Sequence, residues 1–231
     1  MKGHDHGPKN PNSLFHQRGF LSYWAMMLLV GFAVQIQTVT ISWHVYQLTH
    51  NPMDLGLIGL SQFMPALVLI LFTGSITDQF SRKLILRLCL VTKVLVALSL
   101  TWMVNSKVKD VRFFYMALVV FGVSRAFFNP ARQAIVANLV SPELLPRALT
   151  TIITANKLAS ICGPIFGGVL YAVYPEMAVV SVVIGLLIAF TYAGFVPLHR
   201  QVLQKGHVTW KNLVRDFLIF GDKKLYLAPL R

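Results

Sequence analysis

Six long apolar segments dominate this sequence and set what it can fold into. A helix needs about 20 mostly apolar residues to cross a hydrocarbon core about 30 Å thick. Six segments meet that requirement: Tyr23 to Tyr46, Leu55 to Thr73, Leu84 to Val104, Phe113 to Asn129, Ala148 to Tyr171, and Ala178 to Phe195. The fourth helix has room to run past Pro130 to Val136. Because only helices and closed barrels satisfy every backbone group in lipid, we predict an all-α integral membrane bundle of six helices.

The charged residues are few and are distributed by loop. Only 13% of the 231 residues are charged, whereas 55% are hydrophobic. Of 21 lysines and arginines, 15 fall before the first span or after the second, fourth and sixth, and only Lys107, Lys109 and Arg112 lie on the other side. The net charge of +13 therefore reflects membrane topology and not a nucleic-acid partner. This pattern predicts that both termini are cytoplasmic, as an even number of spans requires.

Three regions follow from this reading. Residues 1–22 form a polar cytoplasmic lead, residues 23–196 form the six-span bundle, and residues 197–231 form a basic cytoplasmic linker. The lead has no apolar run, so it is not a cleavable signal peptide. Within the linker, Trp210 to Phe220 has the spacing of an amphipathic interfacial helix.

No residues indicate catalysis, a cofactor or a metal. The histidines of the lead, His4, His6 and His16, have only one acidic neighbour and are interpreted as a solvated tail. Cys89 and Cys162 fall inside apolar spans, where cysteine behaves as a small hydrophobe. The sequence contains no acid pair and no phosphate-binding glycine loop, so we predict that the protein is not an enzyme.

The first span carries a polar face. Ala33, Gln37, Thr40 and His44 are spaced four, three and four residues apart, which places them on one side of a helix. Polar groups in hydrocarbon need partners. Gln37 and His44 are therefore candidate substrate-binding residues lining a cavity, with hydrogen bonding to a neighbouring helix as the equal alternative.

Three cations lie inside spans, at Lys93, Arg125 and Lys157, and no acidic residue does. A charge at mid-membrane costs at least about 2.5 kcal/mol, so such residues usually face the bundle interior. Two sources of negative charge are open to them: carboxylates in an absent second half of the protein, or an anionic group on a bound substrate. For the second source we rank Arg125 first and Lys157 second as the residues that bind it. Lys93 ranks third, because its long stem allows it to reach the interface.

The polar turn expected between the second and third spans carries a recognisable pattern. Gly74, Asp78, Arg82 and Lys83 match the pattern G-x-x-x-D-R-x-G-R-K, while Gln79 and Ser81 depart from it. The segment resembles the corresponding loop of major facilitator transporters. The resemblance implies that these four residues form a cytoplasmic gate, whereas the plainer alternative is that Arg82 and Lys83 only follow the positive-inside rule.

The fifth span carries a second family pattern. Gly163, Pro164, Gly167 and Gly168 match the antiporter motif G-x-x-x-G-P-x-x-G-G, in which Ala159 replaces the first glycine. Glycines one turn apart let another helix approach closely, so these residues are predicted to form a helix-packing motif. The resemblance associates the motif with exporters, and an ordinary packing seam is the alternative.

Further segments narrow the resemblance. Arg125 in Phe121-Gly122-Val123-Ser124-Arg125 is similar to the arginine that the family keeps in its fourth span. With Leu144-Leu145-Pro146-Arg147, it resembles the subgroup of enterobactin exporters and related efflux permeases of the bacterial inner membrane.

Family members have two six-span halves, and this chain shows one. Residues 225–231 resemble the approach to a seventh span. We therefore expect a truncated or split transporter, partnered by the bilayer, a small organic substrate, protons and a second half. Export by alternating access is the leading hypothesis, and a non-transporting remnant or assembly partner is the alternative.

The charge asymmetry generates a topology prediction. A reporter that is active only in the cytoplasm, fused after Arg231, should be active, because the cation-rich side of a membrane protein is cytoplasmic. The same reporter inserted between Lys107 and Lys109 should be inactive. Activity at the internal site and not at Arg231 would contradict the topology.

Overall fold

The computed structural model describes residues 18–79 and 81–196, and it is helical throughout. Six helices follow in chain order: α1 (Arg18–Thr49), α2 (Pro52–Gln79), α3 (Arg82–Asn105), α4 (Val111–Leu139), α5 (Leu145–Val173) and α6 (Pro175–Phe195). All six contain a stretch long and apolar enough to cross a membrane. The predicted six-helix membrane fold is therefore confirmed. The histidine-containing lead and the proposed interfacial helix at Trp210 to Phe220 lie outside the described residues.

Two helix boundaries differ from or extend the sequence prediction. The segment from Gly74 to Gln79 was expected to be a turn, but α2 continues through it to Gln79. The expectation that the turn begins at Gly74 was wrong, because the backbone keeps its helical hydrogen bonds through these polar residues. Ser81 then caps α3, since its hydroxyl accepts the Leu84 amide at 3.3 Å. At α4 the helix does run past Pro130, as the sequence allowed, and ends at Leu139.

The helices pack in a definite order. Helix α1 lies against α5 and α6, α2 lies against α4, and α3 lies against both α4 and α6. Large apolar side chains pointing away from these contacts are exposed, including Leu95, Trp102 and Ile161. An apolar outer surface is what a bilayer requires, so the bundle is suited to lipid on its outside.

Two glycines of the predicted packing motif bring α5 close to α1. A methyl group added at Gly163 would lie 2.6 Å from Cβ of Gln35, and one added at Gly167 would lie 3.1 Å from Cα of Ile36. At Gly168 the same position meets no described atom within 4 Å. Within the described chain, close approach to α1 therefore uses Gly163 and Gly167 but not Gly168.

A similar contact joins α2 to α4. A methyl group added at Gly122 would overlap the backbone carbonyl oxygen of Gln62. Neighbouring helices are thus held together by surfaces that only small residues permit.

This packing predicts unequal effects for two substitutions in the same motif. Gly163→Ala should destabilise the protein by about 1–3 kcal/mol, because the added carbon cannot fit against Gln35 without a backbone shift. Gly168→Ala is the matched control and should be tolerated, since nothing described lies near it. Apparent melting temperatures of the detergent-purified variants measure the difference. Equal melting temperatures would contradict a tight contact at Gly163.

Candidate functional site

A polar cavity of about 210 Å³ lies within the bundle, between α1, α3, α4 and α5. Its apolar wall is Met27, Val30, Gly31, Val34, Phe121 and Phe128. Its polar and charged groups are Gln35, Lys93, Arg125, Asn129, Arg132 and Asn156. No carboxylate is among the lining residues.

Helix α4 contributes most of the charged wall. Phe121, Arg125, Phe128, Asn129 and Arg132 all line the cavity. Their spacing of four, three, one and three residues puts them on one face of a helix. The sequence had assigned Arg132 to a cytoplasmic loop, but it lies inside α4 because that helix extends to Leu139.

Lys93 supplies the deepest charge. Its side chain is 2% exposed, and its Nζ lies 4.2 Å from the ring centre of Phe121 and 5.0 Å from that of Phe128. Aromatic faces attract a cation, although less strongly than a carboxylate pairs with it. The Lys93 stem therefore ends between these two rings.

The two arginines are held by contacts of different kinds. The Arg125 guanidinium is half-buried and lies 5.2 Å from the ring centre of Phe63 on α2. The backbone carbonyl of Arg132 accepts a hydrogen bond of 2.8 Å from the buried hydroxyl of Tyr23 on α1. Both arginines are among the residues that line the cavity.

The positive charge of the cavity is not balanced by the helices that form it. Helices α1, α3, α4 and α5 contain no aspartate or glutamate at any position. Asp54, in the first turn of α2, accepts a hydrogen bond of 2.8 Å from Tyr115. Asn51 caps this helix, since its side chain accepts the Met53 amide at 3.1 Å.

The other substrate-binding candidates from the sequence lie elsewhere. Gln37 and His44 are not on the cavity wall. His44 Nδ1 lies 3.2 Å from the hydroxyl of Tyr171, which donates to Gln47 Oε1 at 2.8 Å. This chain of hydrogen bonds matches the alternative of pairing with a neighbouring helix. Oε1 of Gln37 and Nε2 of His44 are buried without a hydrogen-bond partner in the described part of the chain.

Lys157 is exposed on α5 and does not line the cavity, whereas the preceding residue, Asn156, does. The structure therefore brings Arg125 together with Lys93 and leaves Lys157 apart from both.

The gate candidates lie around the start of α3. Gly74 and Asp78 fall within the last turns of α2, while Arg82 and Lys83 open α3. Arg82 Nη1 donates to the backbone oxygen of Ala134 at 3.3 Å, and Lys83 Nζ donates to that of Val196 at 3.3 Å. Both cations thus meet carbonyl groups near the C-terminal ends of α4 and α6, where the helix dipole favours positive charge.

Sequence reasoning missed four polar members of the cavity: Gln35, Asn129, Arg132 and Asn156. A periodicity signal was available for those on α4, because Asn129 and Arg132 lie four and seven residues after Arg125. No comparable signal marked Asn156.

The family profile described as Major Facilitator Superfamily matches residues 23–227. A Na(+), Li(+), K(+)/H(+) antiporter of Planococcus maritimus is 27% identical over 175 residues, covering 68% of this chain and 40% of that protein. The Staphyloferrin A transporter of Staphylococcus aureus is 29% identical over 147 residues, covering 60% of this chain and 35% of that protein. The chain spans less than half the length of either relative.

The crystal structure of the human organic anion transporter MFSD10 (TETRAN) has the same fold, with a TM-score of 0.65 at 18% identity. The match covers 82% of this chain and 48% of that one. Fold, family profile and relatives agree. The chain therefore belongs to the Major Facilitator Superfamily, whose members are membrane transporters and not enzymes.

Proposed function

We propose that this bundle is one half of an alternating-access transporter that exports a small organic anion. The observation that carries the proposal is the cavity in which Lys93, Arg125 and Arg132 meet without a lining carboxylate. Buried charges are normally paired. An anionic substrate supplies the missing negative charge.

The chemistry of the wall fits a carboxylate or catecholate group. A guanidinium such as Arg125 can hold a planar anionic group with two parallel hydrogen bonds. The amides of Gln35, Asn129 and Asn156 add neutral donors and acceptors around it. The apolar wall provides a surface for the carbon skeleton of the substrate.

The direction of transport and the substrate class are inferred from similarity to other transporters. The Gly163-Pro164-Gly167-Gly168 motif is similar to one associated with exporters, which favours efflux. Staphyloferrin A, in the name of one relative, supports a siderophore-type substrate, in line with the resemblance to enterobactin exporters. The H(+) in the name of another relative supports protons as the coupling ion, moving either with the substrate or against it.

A second six-helix bundle is part of the proposal, on the same polypeptide or on another. Lys157 is an exposed cation on a helix otherwise fit to span a membrane. Such a charge is costly against lipid. A facing bundle would cover it, and would place the cavity between the two halves. We propose the bacterial inner membrane as the location, with both termini cytoplasmic.

Anion recognition predicts a charge-selective loss of affinity. Arg125→Gln should weaken binding of 2,3-dihydroxybenzoate by about tenfold or more, the cost of a hydrogen bond to a charged group. Binding of 2,3-dihydroxybenzamide, which has the same ring and no carboxylate, should change little. Radioligand binding to the purified protein measures both affinities.

The matched control is Arg112→Gln, since Arg112 is an exposed cation at the other end of α4. It should leave both affinities unchanged. Equal losses for the acid and the amide in Arg125→Gln, or binding of neither ligand to the wild-type protein, would contradict the anion site. Binding without any transport in vesicles would favour the non-transporting partner instead.

The gate predicts a transport defect without a folding defect. Asp78→Asn and Arg82→Ala should each reduce efflux from vesicles by about tenfold, because each removes a charge that the family resemblance assigns to the gate. Arg87→Ala, an exposed cation one turn further along α3, is the control. The amount of protein inserted in the membrane should be equal for all three variants. Normal efflux by both gate variants would leave this segment as a topology signal alone.

A further inference from the structure

Lys93 differs chemically from the two arginines beside it. Arginine keeps its proton at any pH that a protein survives, whereas a buried lysine can release one. Of the three cations on the cavity wall, Lys93 is therefore the one able to change its charge.

Among the described residues that line the cavity with Lys93, none carries a negative charge. Helix α4 presents Arg125, Arg132 and two phenyl rings to it. On α3 itself the nearest titratable neighbour is the Cys89 thiol, one turn away, which is a free cysteine.

The remaining helices packed around the cavity add no acid. Helix α1 contributes Gln35 to the wall, together with Tyr23, whose hydroxyl is bonded to the Arg132 backbone. Helix α5 contributes Asn156. Helix α6 has one carboxylate, Glu176, in its first turn. Within the described part of the chain, none of these three helices places an acidic side chain on the cavity wall.

The charge of Lys93 and occupancy by an anion are consequently linked. With the cavity empty, an ammonium there is an unmatched charge repelled by two guanidinium groups, which favours the neutral amine. A bound anion supplies the missing charge and favours the ammonium. Linkage is reciprocal, so protonation of Lys93 strengthens anion binding to the same degree.

We propose that Lys93 takes up one proton when an anion binds, so that the anion and a proton cross the membrane together. The amine lone pair gains a proton from water when the anion enters, and returns it to water when the anion leaves. This inference rests on the proposed anion site.

The sign of this coupling has a consequence for transport. Exchange of a proton for a substrate needs a group that binds either one but not both at once. A carboxylate is such a group for a cationic substrate, because protonation removes the charge that holds the cation. Lys93 does the opposite for an anion, because proton and anion stabilise one another. Efflux of a monoanion is then electroneutral and is driven by the gradient of the acid itself.

The direct test is proton uptake on binding. Calorimetric titration of the purified native protein with 2,3-dihydroxybenzoate, in two buffers of different ionisation enthalpy, gives the protons taken up per anion bound. We expect about one in the wild-type protein and none in Lys93→Arg, whose charge is fixed. Absence of uptake in the wild-type protein, or release of a proton, would overturn the inference.

The pH dependence of affinity supplies a second measurement. Between about pH 6 and pH 9 the carboxylate of 2,3-dihydroxybenzoate stays ionised. At pH values where the amine of the empty site is neutral, wild-type affinity should fall by about tenfold per pH unit as pH rises, as linkage to one proton requires. Lys93→Arg should show a flat profile.

The outcomes separate this inference from the proposed function. Anion binding by the wild-type protein with no proton uptake and a flat pH profile keeps the anion site and removes the role of Lys93. Failure to bind 2,3-dihydroxybenzoate at all removes both. A Lys93→Arg variant that keeps the wild-type proton uptake would assign the proton to another group and overturn the inference. If that variant does not fold, Lys93→Met, which cannot take up a proton, replaces it: continued uptake would overturn the inference in the same way.

Discussion

The bundle depends on one constraint, which is that backbone polar groups in a bilayer core have no water to bond with. Helices meet that constraint, and each of the six helices here forms its backbone hydrogen bonds within itself. What remains is to bring them together without a hydrophobic driving force. Close packing does this, at Gly163 and Gly167 against α1 and at Gly122 against α2.

The same constraint explains why the cavity stands out. A cation inside such a bundle needs a counter-charge, and the four helices that enclose the cavity have none. Lys93 lies between two phenyl rings, and Arg125 lies over a third. Cation–π contacts of this kind stabilise a positive charge only in part. A site with this deficit is suited to a negative ligand.

The N-terminal end of α3 and the C-terminal part of α4 connect the cavity to the family motif that contains Arg82. Arg82 bonds to the backbone of Ala134, two residues beyond the cavity residue Arg132. The C-terminal part of α4 therefore carries both a wall of the proposed anion site and a contact with the proposed gate. A movement of this segment would change both the cavity wall and the contact with Arg82. We regard it as the part of the bundle most suited to linking them.

Much of the fold could be read from the amino acids, and much of the site could not. Each apolar segment has to be a helix, because its length and composition leave no alternative in lipid, and Arg125 was identified because an embedded arginine is costly. The spacing of Gln37 and His44 fitted a cavity wall and a contact with a neighbouring helix equally well, and in the structure His44 pairs with Tyr171. One polar stripe looks the same in sequence whether it faces a cavity or a neighbouring helix.

The sequence by itself determined the membrane, the six helices and the family, since these follow from local hydropathy and short motifs. Tertiary structure alone decided which cations share a space. Lys93, Arg125 and Arg132 come from two helices, and only the packing of α3 on α4 makes them neighbours. It also set Lys157 apart from them, because adjacent residues on α5 point in different directions and only Asn156 lines the cavity. Charge chemistry is local to a residue, whereas a binding site depends on distances between helices.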